Sequence, residues 1–164
     1  MQDHGSSPLR RLLERHADSV LATHAQHGDA TAVVERARLV ELMGFLRDDP
    51  ECRFEMLADV CAVDGLEQGA SPRFQVVYHL YSLSKSQRLR IKAGVPEDDC
   101  AIASLVEIWP AANWLEREVW DLYGIRFQGH PDLRRLLLYE EFEGHPLRKD
   151  YAKEKRQPLV GPEN

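Results

Sequence analysis

The chain has 164 residues, of which 43% are hydrophobic and 29% charged, and its net charge at pH 7 is −6. This composition fits one globular domain, and the acidic balance argues against a nucleic-acid-binding protein, which normally carries a basic face. The longest stretch without Asp, Glu, Lys or Arg, residues 74–84, is too short for a membrane span of about 20 residues, so we expect any membrane contact to be indirect, through a partner.

The first part of the chain combines helical and strand patterns. Ser7 followed by Pro8 predicts a helix start, and apolar residues recur at helical spacing as far as Leu21. A short strand is predicted over residues 31–35. A second helix follows and ends before Pro50; its apolar face carries Leu39, Leu42, Met43 and Leu46.

Three strands are predicted next. Residues 54–62 alternate between apolar and polar side chains, which indicates a strand with one buried face. Residues 74–83 are rich in β-branched and aromatic residues. After a turn at residues 84–87, the alternation continues to residue 93. The residues expected to point inward from the first strand are Phe54, Met56, Ala58, Val60 and Ala62.

Two helices are predicted after these strands. Apolar residues between 102 and 109 suggest a helix that ends at Pro110. Asn113 and Glu116 have capping-box spacing for another helix, and Gly124 occupies the position of a C-terminal glycine cap. The buried stripe of this last helix is expected to contain Leu115, Val119 and Leu122.

The predicted fold class is α+β, with a mostly antiparallel sheet and helices packed on one face. We expect residues 1–124 to form this core domain. Residues 125–164 show no long periodicity, and Gly-His-Pro occurs at residues 129–131 and again at 144–146. Because the segment is rich in leucine and aromatic residues, disorder fits poorly. We predict an extended, irregular C-terminal arm that docks on a partner.

No catalytic or cofactor-binding pattern is present in the sequence. Cys52, Cys61 and Cys100 form no CxxC pair, which argues against a disulfide framework and a metal site. Glycine-rich phosphate loops are missing as well. Glu116 and Asp121 lie on different faces of the predicted helix and do not converge as an acid–base pair. We therefore predict no catalytic residue, no bound cofactor and no metal for this chain.

Two features leave alternatives open. His130 and His145 lie near arginines, which is compatible with a phosphate or carboxylate site, but each Gly-His-Pro also fits a tight turn whose imidazole bonds to the backbone, and we favour the turn. In the last helix, Glu116, Trp120 and Tyr123 share a face while Arg117 and Asp121 are spaced for an ion pair. That helix is either an interface element or an amphipathic helix with ordinary surface pairs; spacing alone favours the second.

Two collinear motifs resemble a known family. Residues 116–123, Glu-Arg-Glu-Val-Trp-Asp-Leu-Tyr, precede His130 and the run Arg134-Arg135-Leu136-Leu137. Residues 142–151, Phe-Glu-Gly-His-Pro-Leu-Arg-Lys-Asp-Tyr, form the second motif. Together they are similar to the signature of the thirty-kilodalton subunit family, also called the C subunit, of respiratory complex I, NADH:quinone oxidoreductase. The resemblance covers residues 39–151, and residues 1–38 are matched poorly.

The resemblance implies a non-catalytic structural subunit in the hydrophilic arm of the proton-translocating complex. Such a subunit docks on the quinone-site subunit, near the subunits that hold the terminal iron–sulfur clusters. NADH, FMN, iron–sulfur clusters and quinone then belong to the complex and not to this chain. The location implied is peripheral, on the cytoplasmic side of the bacterial inner membrane.

Two alternative functions remain open. The equivalent subunit of an energy-converting hydrogenase or of a ferredoxin-linked complex is the alternative, and an independent enzyme acting on a phosphorylated substrate is less favoured.

The resemblance also implies where partners bind. The residues expected at the partner interface are Glu116, Trp120, Asp121, Tyr123, His130, Arg134, Arg135, Leu136, Leu137, Phe142, His145, Leu147, Arg148, Lys149, Asp150 and Tyr151.

Overall fold

The computed structural model describes residues 7–155 and residue 157. Within these residues, three α-helices and seven strands follow one another in an α+β arrangement. In chain order they are α1 (Ser7–His16), β1 (Val20–His24), β2 (Thr31–Val34), α2 (Leu39–Asp48), β3 (Met56–Asp64), β4 (Phe74–Ser82), β5 (Gln87–Val95), β6 (Ala101–Ala103), α3 (Ala112–Tyr123) and β7 (Arg126–Gln128).

The main sheet has five strands in the order β1-β2-β5-β4-β3. Its neighbouring strands are antiparallel except for the parallel pair β2 and β5, so the predicted mostly antiparallel α+β class is confirmed. One sheet face packs with the leucines of α1 and α2 in a single hydrophobic core that also includes Val119 of α3. Burying each large apolar side chain contributes about 1.5–3 kcal/mol.

The strand β5 shows how the sequence pattern sets the inner and outer faces of the sheet. Leu89, Ile91 and Ala93 are buried, whereas Arg90 and Lys92 point to the opposite, partly solvated face. Ile91 lies opposite Tyr78 of β4 and Ala32 of β2. The predicted alternation of this strand is therefore confirmed.

The first predicted helix extended too far. The helix α1 ends at His16, and Val20 and Leu21 belong to β1 instead. Val20 pairs with Val34 of the antiparallel neighbour β2. Helical spacing did not reveal this edge strand because its extended backbone is stabilised by a partner strand and not by its own periodicity.

A β-bulge changes the inward set predicted for β3. The register shifts between Leu57 and Asp59, which leaves Ala58 as an extra residue. Consequently Leu57 is buried and Met56 is 45% exposed, the reverse of the expectation from strict alternation. After the bulge, Val60 and Ala62 point inward as predicted.

The helix predicted for residues 102–110 is not formed. Ile102 lies in β6, whose backbone pairs in parallel with β7, and turns follow it at Leu105 and Trp109. The indole nitrogen of Trp109 donates a hydrogen bond to the Phe54 carbonyl, 3.2 Å away. The pairing with β7, a strand more than twenty residues later, overrides the local helical pattern.

The capping box predicted at Asn113 is also wrong. The helix α3 starts at Ala112 after Ala111, and Asn113 lies inside its first turn. Gly124 does end the helix in the left-handed conformation, with φ of 75°, as predicted. Beyond it, Ile125 and Phe127 are buried in the core, so regular structure continues to Gln128.

Candidate functional site

The helix α3 buries three charged side chains, and the described part of the C-terminal arm, residues 125–155 and 157, bonds to two of them. Glu116, Arg117 and Asp121 are buried, whereas Leu115 and Leu122 are only partly buried. Of the predicted apolar stripe, Val119 alone is fully buried. The irregular part of the arm, which begins at Gly129, runs across this face of the helix and supplies partners for Arg117 and Asp121.

The Asp121 carboxylate is the main anchor of the arm. One oxygen accepts a hydrogen bond from the Arg135 guanidinium at 2.7 Å. The other accepts three successive backbone N–H groups, those of Leu136, Leu137 and Leu138, at 3.1, 2.8 and 2.9 Å. A carboxylate that accepts several N–H groups and an arginine is held in its charged form.

The pKa of Asp121 reflects this set of partners. Burial by itself raises the pKa of the carboxyl group. The hydrogen bonds from Leu138, Arg135, Leu137 and Leu136 outweigh burial, and the pKa lies below its ordinary value. The spacing-based expectation that Arg117 pairs with Asp121 is wrong, because the arm provides the cation.

The arm also covers the C-terminal end of α3. Arg148 Nε donates to the Tyr123 carbonyl at 2.6 Å, and the Leu147 N–H donates to the Leu122 carbonyl at 3.1 Å. The last carbonyls of a helix lack partners within the helix and carry the negative end of its dipole. A cation and an N–H from the arm satisfy two of these carbonyls.

Gly124 has a second role at this contact. A Cβ atom placed there would lie 2.5 Å from His145 Cδ2 and 3.0 Å from Arg148 Nη2. The absent side chain therefore lets the arm pack directly on the end of the helix, in addition to permitting the positive φ.

Both histidines of the Gly-His-Pro sequences bond to the backbone. His145 Nδ1 lies 2.9 Å from the Asp121 carbonyl, so this nitrogen donates. His130 Nε2 lies 3.0 Å from the Asn113 carbonyl, while its Nδ1 accepts from the Asp132 N–H at 3.0 Å. The interpretation of these sequences as turns with backbone-bonded imidazoles is confirmed.

Arg117 holds the first part of the arm. Its Nε and Nη2 atoms donate to the carbonyls of Arg134 and Arg135 at 3.1 and 3.0 Å. Glu116 binds away from the arm, accepting from the Ser104 hydroxyl at 2.6 Å and the Leu105 N–H at 2.7 Å. Burial raises the pKa of Glu116 to about 7, although these two hydrogen bonds oppose the shift.

A buried ion network fixes the distal part of the arm. Arg73 forms bidentate pairs with Asp64, at 2.7 and 3.0 Å, and with Asp150, at 2.8 and 3.0 Å. Asp64 also accepts the Lys149 N–H at 2.9 Å. The hydrogen bonds from Arg73, opposed by burial and joined by the Lys149 and Leu66 N–H groups, lower the pKa of Asp64 to about 2.

An aromatic cluster stabilises the arm internally. Phe142 stacks on Tyr151 with centroids 6.2 Å apart and meets Tyr139 edge-on at 5.5 Å. The Arg135 guanidinium lies over the Phe142 ring at 5.7 Å. Gln157 closes the segment with hydrogen bonds to the backbone of Glu143 at 2.8 Å.

A few large side chains remain on the outer surface of this assembly. Leu137 is 61% exposed, Leu147 47% and Trp114 60%. Arg134 and Lys149 are exposed nearby. These side chains are open to solvent, whereas the Arg135 and Arg148 side chains and several backbone groups of the arm bond to α3.

The structure divides the sixteen predicted interface residues into two groups. Seven have side chains that form hydrogen bonds between the core domain and the arm or within the core: Glu116, Asp121, His130, Arg135, His145, Arg148 and Asp150. Of the others, Arg134, Leu137, Leu147 and Lys149 are exposed, and Trp120, Tyr123, Leu136, Phe142 and Tyr151 are intermediate. Arg135 and Arg148 are thus engaged within the chain.

Sequence reasoning missed three anchoring side chains: Asp64, Arg73 and Arg117. Asp64 at the end of a strand and Arg73 just before the next carry no motif that marks them as a pair. Arg117 was considered only as a partner of Asp121. The sequence offers one sign that Arg117 is buried: it lies between Leu115 and Val119, two residues of the predicted apolar stripe.

Comparison with known proteins gives consistent matches. The family described as respiratory-chain NADH dehydrogenase, 30 Kd subunit, matches residues 32–157. The C subunit of NADH-quinone oxidoreductase from Geobacter sulfurreducens is 46% identical, with 93% of this chain and 89% of that protein covered. The protein of the same name from Thiobacillus denitrificans is 52% identical, with 82% and 70% covered. The alignment with the Geobacter protein extends into residues 1–38, which the motifs did not match.

Two solved structures are also similar. The trypsin-resistant fragment (1-134) of Nqo5 superposes with a TM-score of 0.69 at 36% identity, covering 77% of this chain and 99% of the fragment. A chain of the membrane-bound sulfane sulfur reductase, an archaeal respiratory membrane complex, gives a TM-score of 0.75 at 20% identity, covering 89% and 84%. At that identity the second likeness concerns the fold alone.

Proposed function

Because this chain belongs to the 30 Kd subunit family of the respiratory-chain NADH dehydrogenase, we propose that it is a non-catalytic structural subunit of the hydrophilic arm of complex I. It docks on the quinone-site subunit and on the subunits with the terminal iron–sulfur clusters. It keeps these partners at fixed distances, so that electrons pass from NADH to quinone.

The proposal rests on the arrangement of the C-terminal arm. Asp121, Arg117 and Arg73 hold its backbone and inner side chains, while Leu137 and Leu147 remain exposed. A segment already ordered by its own chain loses little conformational entropy on binding. The arm thus presents apolar side chains to a partner, and Arg135 and Arg148 act as internal anchors.

The redox groups belong to other subunits in this proposal. NADH, FMN, the iron–sulfur clusters and quinone are bound elsewhere in the complex. This chain holds the partner subunits in position and takes no part in the redox reactions. Within the described residues, no helix is long and apolar enough to cross a bilayer. The proposed location is the cytoplasmic side of the bacterial inner membrane, with attachment through partner subunits.

The decisive experiment places charge on the outward face of the arm. In the double variant Leu137→Asp, Leu147→Asp, a docked interface would have to bury two added carboxylates, which costs several kcal/mol. We expect the variant to fold normally but to co-purify poorly with the other subunits after mild detergent extraction. NADH:quinone turnover per assembled complex stays near wild type, because no redox group is touched.

The matched control is Leu21→Asp with Leu83→Asp. Both leucines are 63% exposed and lie on other parts of the surface, β1 and the turn before β5. This control should assemble like the wild type. Normal assembly of the Leu137 and Leu147 variant, or equal loss in both variants, would contradict docking through the arm.

A further inference from the structure

A group of possible metal ligands lies on the sheet face opposite the hydrophobic core, and it includes none of the residues that anchor the arm. Asp59, Cys61 and His79 each offer one ligand atom, and these atoms lie within 4.8 Å of one another. Asp59 is exposed, and the other two are partly buried. Carboxylate, thiolate and imidazole are the side-chain ligands that zinc uses in proteins.

The β-bulge in β3 creates this group. With strict alternation, Leu57 and Asp59 would point to the same side, because side chains two apart share a face. The extra residue Ala58 reverses the side for the rest of the strand, so that Asp59 and Cys61 point outward. Asp59 then lies directly opposite His79 of β4, with Cys61 on the diagonal.

We propose that Asp59, Cys61 and His79 form a binding site for a divalent transition metal ion, with zinc as the ion that suits the ligands best. Zinc bonds of about 2.0–2.3 Å place tetrahedral ligand atoms roughly 3.3–3.8 Å apart. Ligand atoms within 4.8 Å reach that spacing through side-chain shifts of about 1 Å, without any change in strand pairing. The fourth position remains for water or an exogenous ligand.

One of the three proposed ligands also borders a neighbouring cleft. His79 lines an open cleft of about 900 Å³ together with Ala58, Tyr81 and Arg88. Within the described part of the chain, no hydrogen bond or ion pair engages the side chains of Asp59, Cys61 or His79.

Burial and neighbouring charges shift the pKa values of His79 and Cys61. Burial, with Arg90 and Lys92, lowers the pKa of His79 against the opposing effects of Asp59 and Asp29. Burial and Asp59 raise the pKa of Cys61, with Glu118 adding and Arg90 opposing. A bound dication displaces the thiol proton to solvent, as in other thiolate sites.

The test uses the tag-free full-length chain under a non-thiol reductant, with zinc and cobalt salts as the probes. We expect one zinc per chain in competition with a chromophoric chelator, and a thiolate-to-cobalt charge-transfer band in the near ultraviolet. Cys61→Ser should remove the band and weaken zinc binding at least tenfold. Asp59→Asn should weaken zinc binding but retain the band.

The matched controls are Cys100→Ser and Asp98→Asn. Cys100 is a partly buried thiol and Asp98 an exposed carboxylate, both outside the proposed site. Both controls should bind zinc and cobalt like the wild type, and circular dichroism of the metal-free variants confirms that they fold. The proposal is overturned if the wild type binds no stoichiometric zinc, or if Cys61→Ser keeps wild-type affinity and the cobalt band. Neither result depends on assembly with partners, so the docking proposal is tested separately.

Discussion

The substitution Asp121→Asn tests whether one carboxylate holds the arm on α3. The substitution keeps the size of the side chain and removes its charge. An amide has one acceptor oxygen, whereas both carboxylate oxygens of Asp121 are engaged, one by Arg135 and the other by the N–H groups of Leu136, Leu137 and Leu138. In either amide orientation, the NH₂ group faces donors that it cannot satisfy.

The expected loss follows from those four contacts. Asp121 is completely buried, and the Arg135 side chain is 14% exposed. Breaking a buried ion pair by removing one partner costs about 3–5 kcal/mol, and each buried N–H left without an acceptor costs about 1–3 kcal/mol. These costs do not add in full, because Arg135 keeps its hydrogen bond to the Phe142 carbonyl and the arm can partly detach so that the freed groups bind water. We therefore expect a total loss of about 3–5 kcal/mol in the free energy of unfolding. A single domain has about 5–15 kcal/mol of stability.

The assay combines urea unfolding with amide hydrogen exchange. Unfolding gives the change in free energy, and the amides of Leu136, Leu137 and Leu138 report whether the arm has detached. Since the folded-state pKa of Asp121 is depressed, its contribution is present above pH 3.8, the ordinary value. That contribution is lost as the pH falls through the folded-state pKa, and the wild-type and variant curves should converge there.

The control is Asp132→Asn, which breaks the exposed pair with Arg134 at 2.9 Å. An exposed pair contributes about 0–1 kcal/mol, so this variant should resemble the wild type. If Asp121→Asn destabilises no more than the control, or if the three leucine amides stay protected in it, the anchoring role of Asp121 is refuted.

Three further predictions concern other contacts of the same region. Gly124→Ala should lower the free energy of unfolding by about 1–3 kcal/mol, measured in urea, because it adds backbone strain and a Cβ against His145. Because the pKa of Glu116 is raised from 4.5 to about 7 in the folded state, the free energy of unfolding of the wild type should fall as the pH rises between these values. Glu116→Gln should remove this fall. Arg73→Met should cost about 3–5 kcal/mol in urea unfolding at neutral pH, since it leaves the Asp64 carboxylate buried without its cation.

Each of these variants has an outcome that would contradict its basis. Gly129→Ala is the control for Gly124, because Gly129 has a φ of 83° but nothing within 4 Å of an added Cβ; equal losses would exclude the contact with the arm. A pH slope unchanged by Glu116→Gln would assign the titration to another group. A loss below about 1 kcal/mol for Arg73→Met, the range of an exposed pair, would mean that the Asp64 network contributes little.

The sequence contained the periodic elements of this fold. The apolar stripe of α2 and the alternation of β5 are local patterns, and each appears in the structure with the predicted buried residues. The elements that were missed depend on distant segments. The strand β6 forms because it pairs with β7, and Val20 is extended because it pairs with Val34. Periodicity within a window cannot report a hydrogen-bond partner outside it.

The motifs marked residues of the candidate site but not their contacts. Asp121, Arg135 and His145, which belong to the two family motifs, come together in the structure. Their partners, however, are largely within the chain. The resemblance implied that Arg134, Arg135 and Arg148 lie at a partner interface. The structure places the Asp121 carboxylate beneath the arm. Because a buried carboxylate has lost its hydration, its charge is destabilising unless a cation lies next to it, which is not so for an exposed carboxylate.

The sequence by itself therefore determined the family, the α+β class and the irregular character of the arm, because these depend on local pattern and on motif order. Only the tertiary structure decided which charges are buried and which side chains face outward. A single extra residue, Ala58, shows the reason: in a strand the facing of every later side chain depends on register. Register is fixed by the neighbouring strand, and it brings Asp59 and Cys61 to the same face as His79.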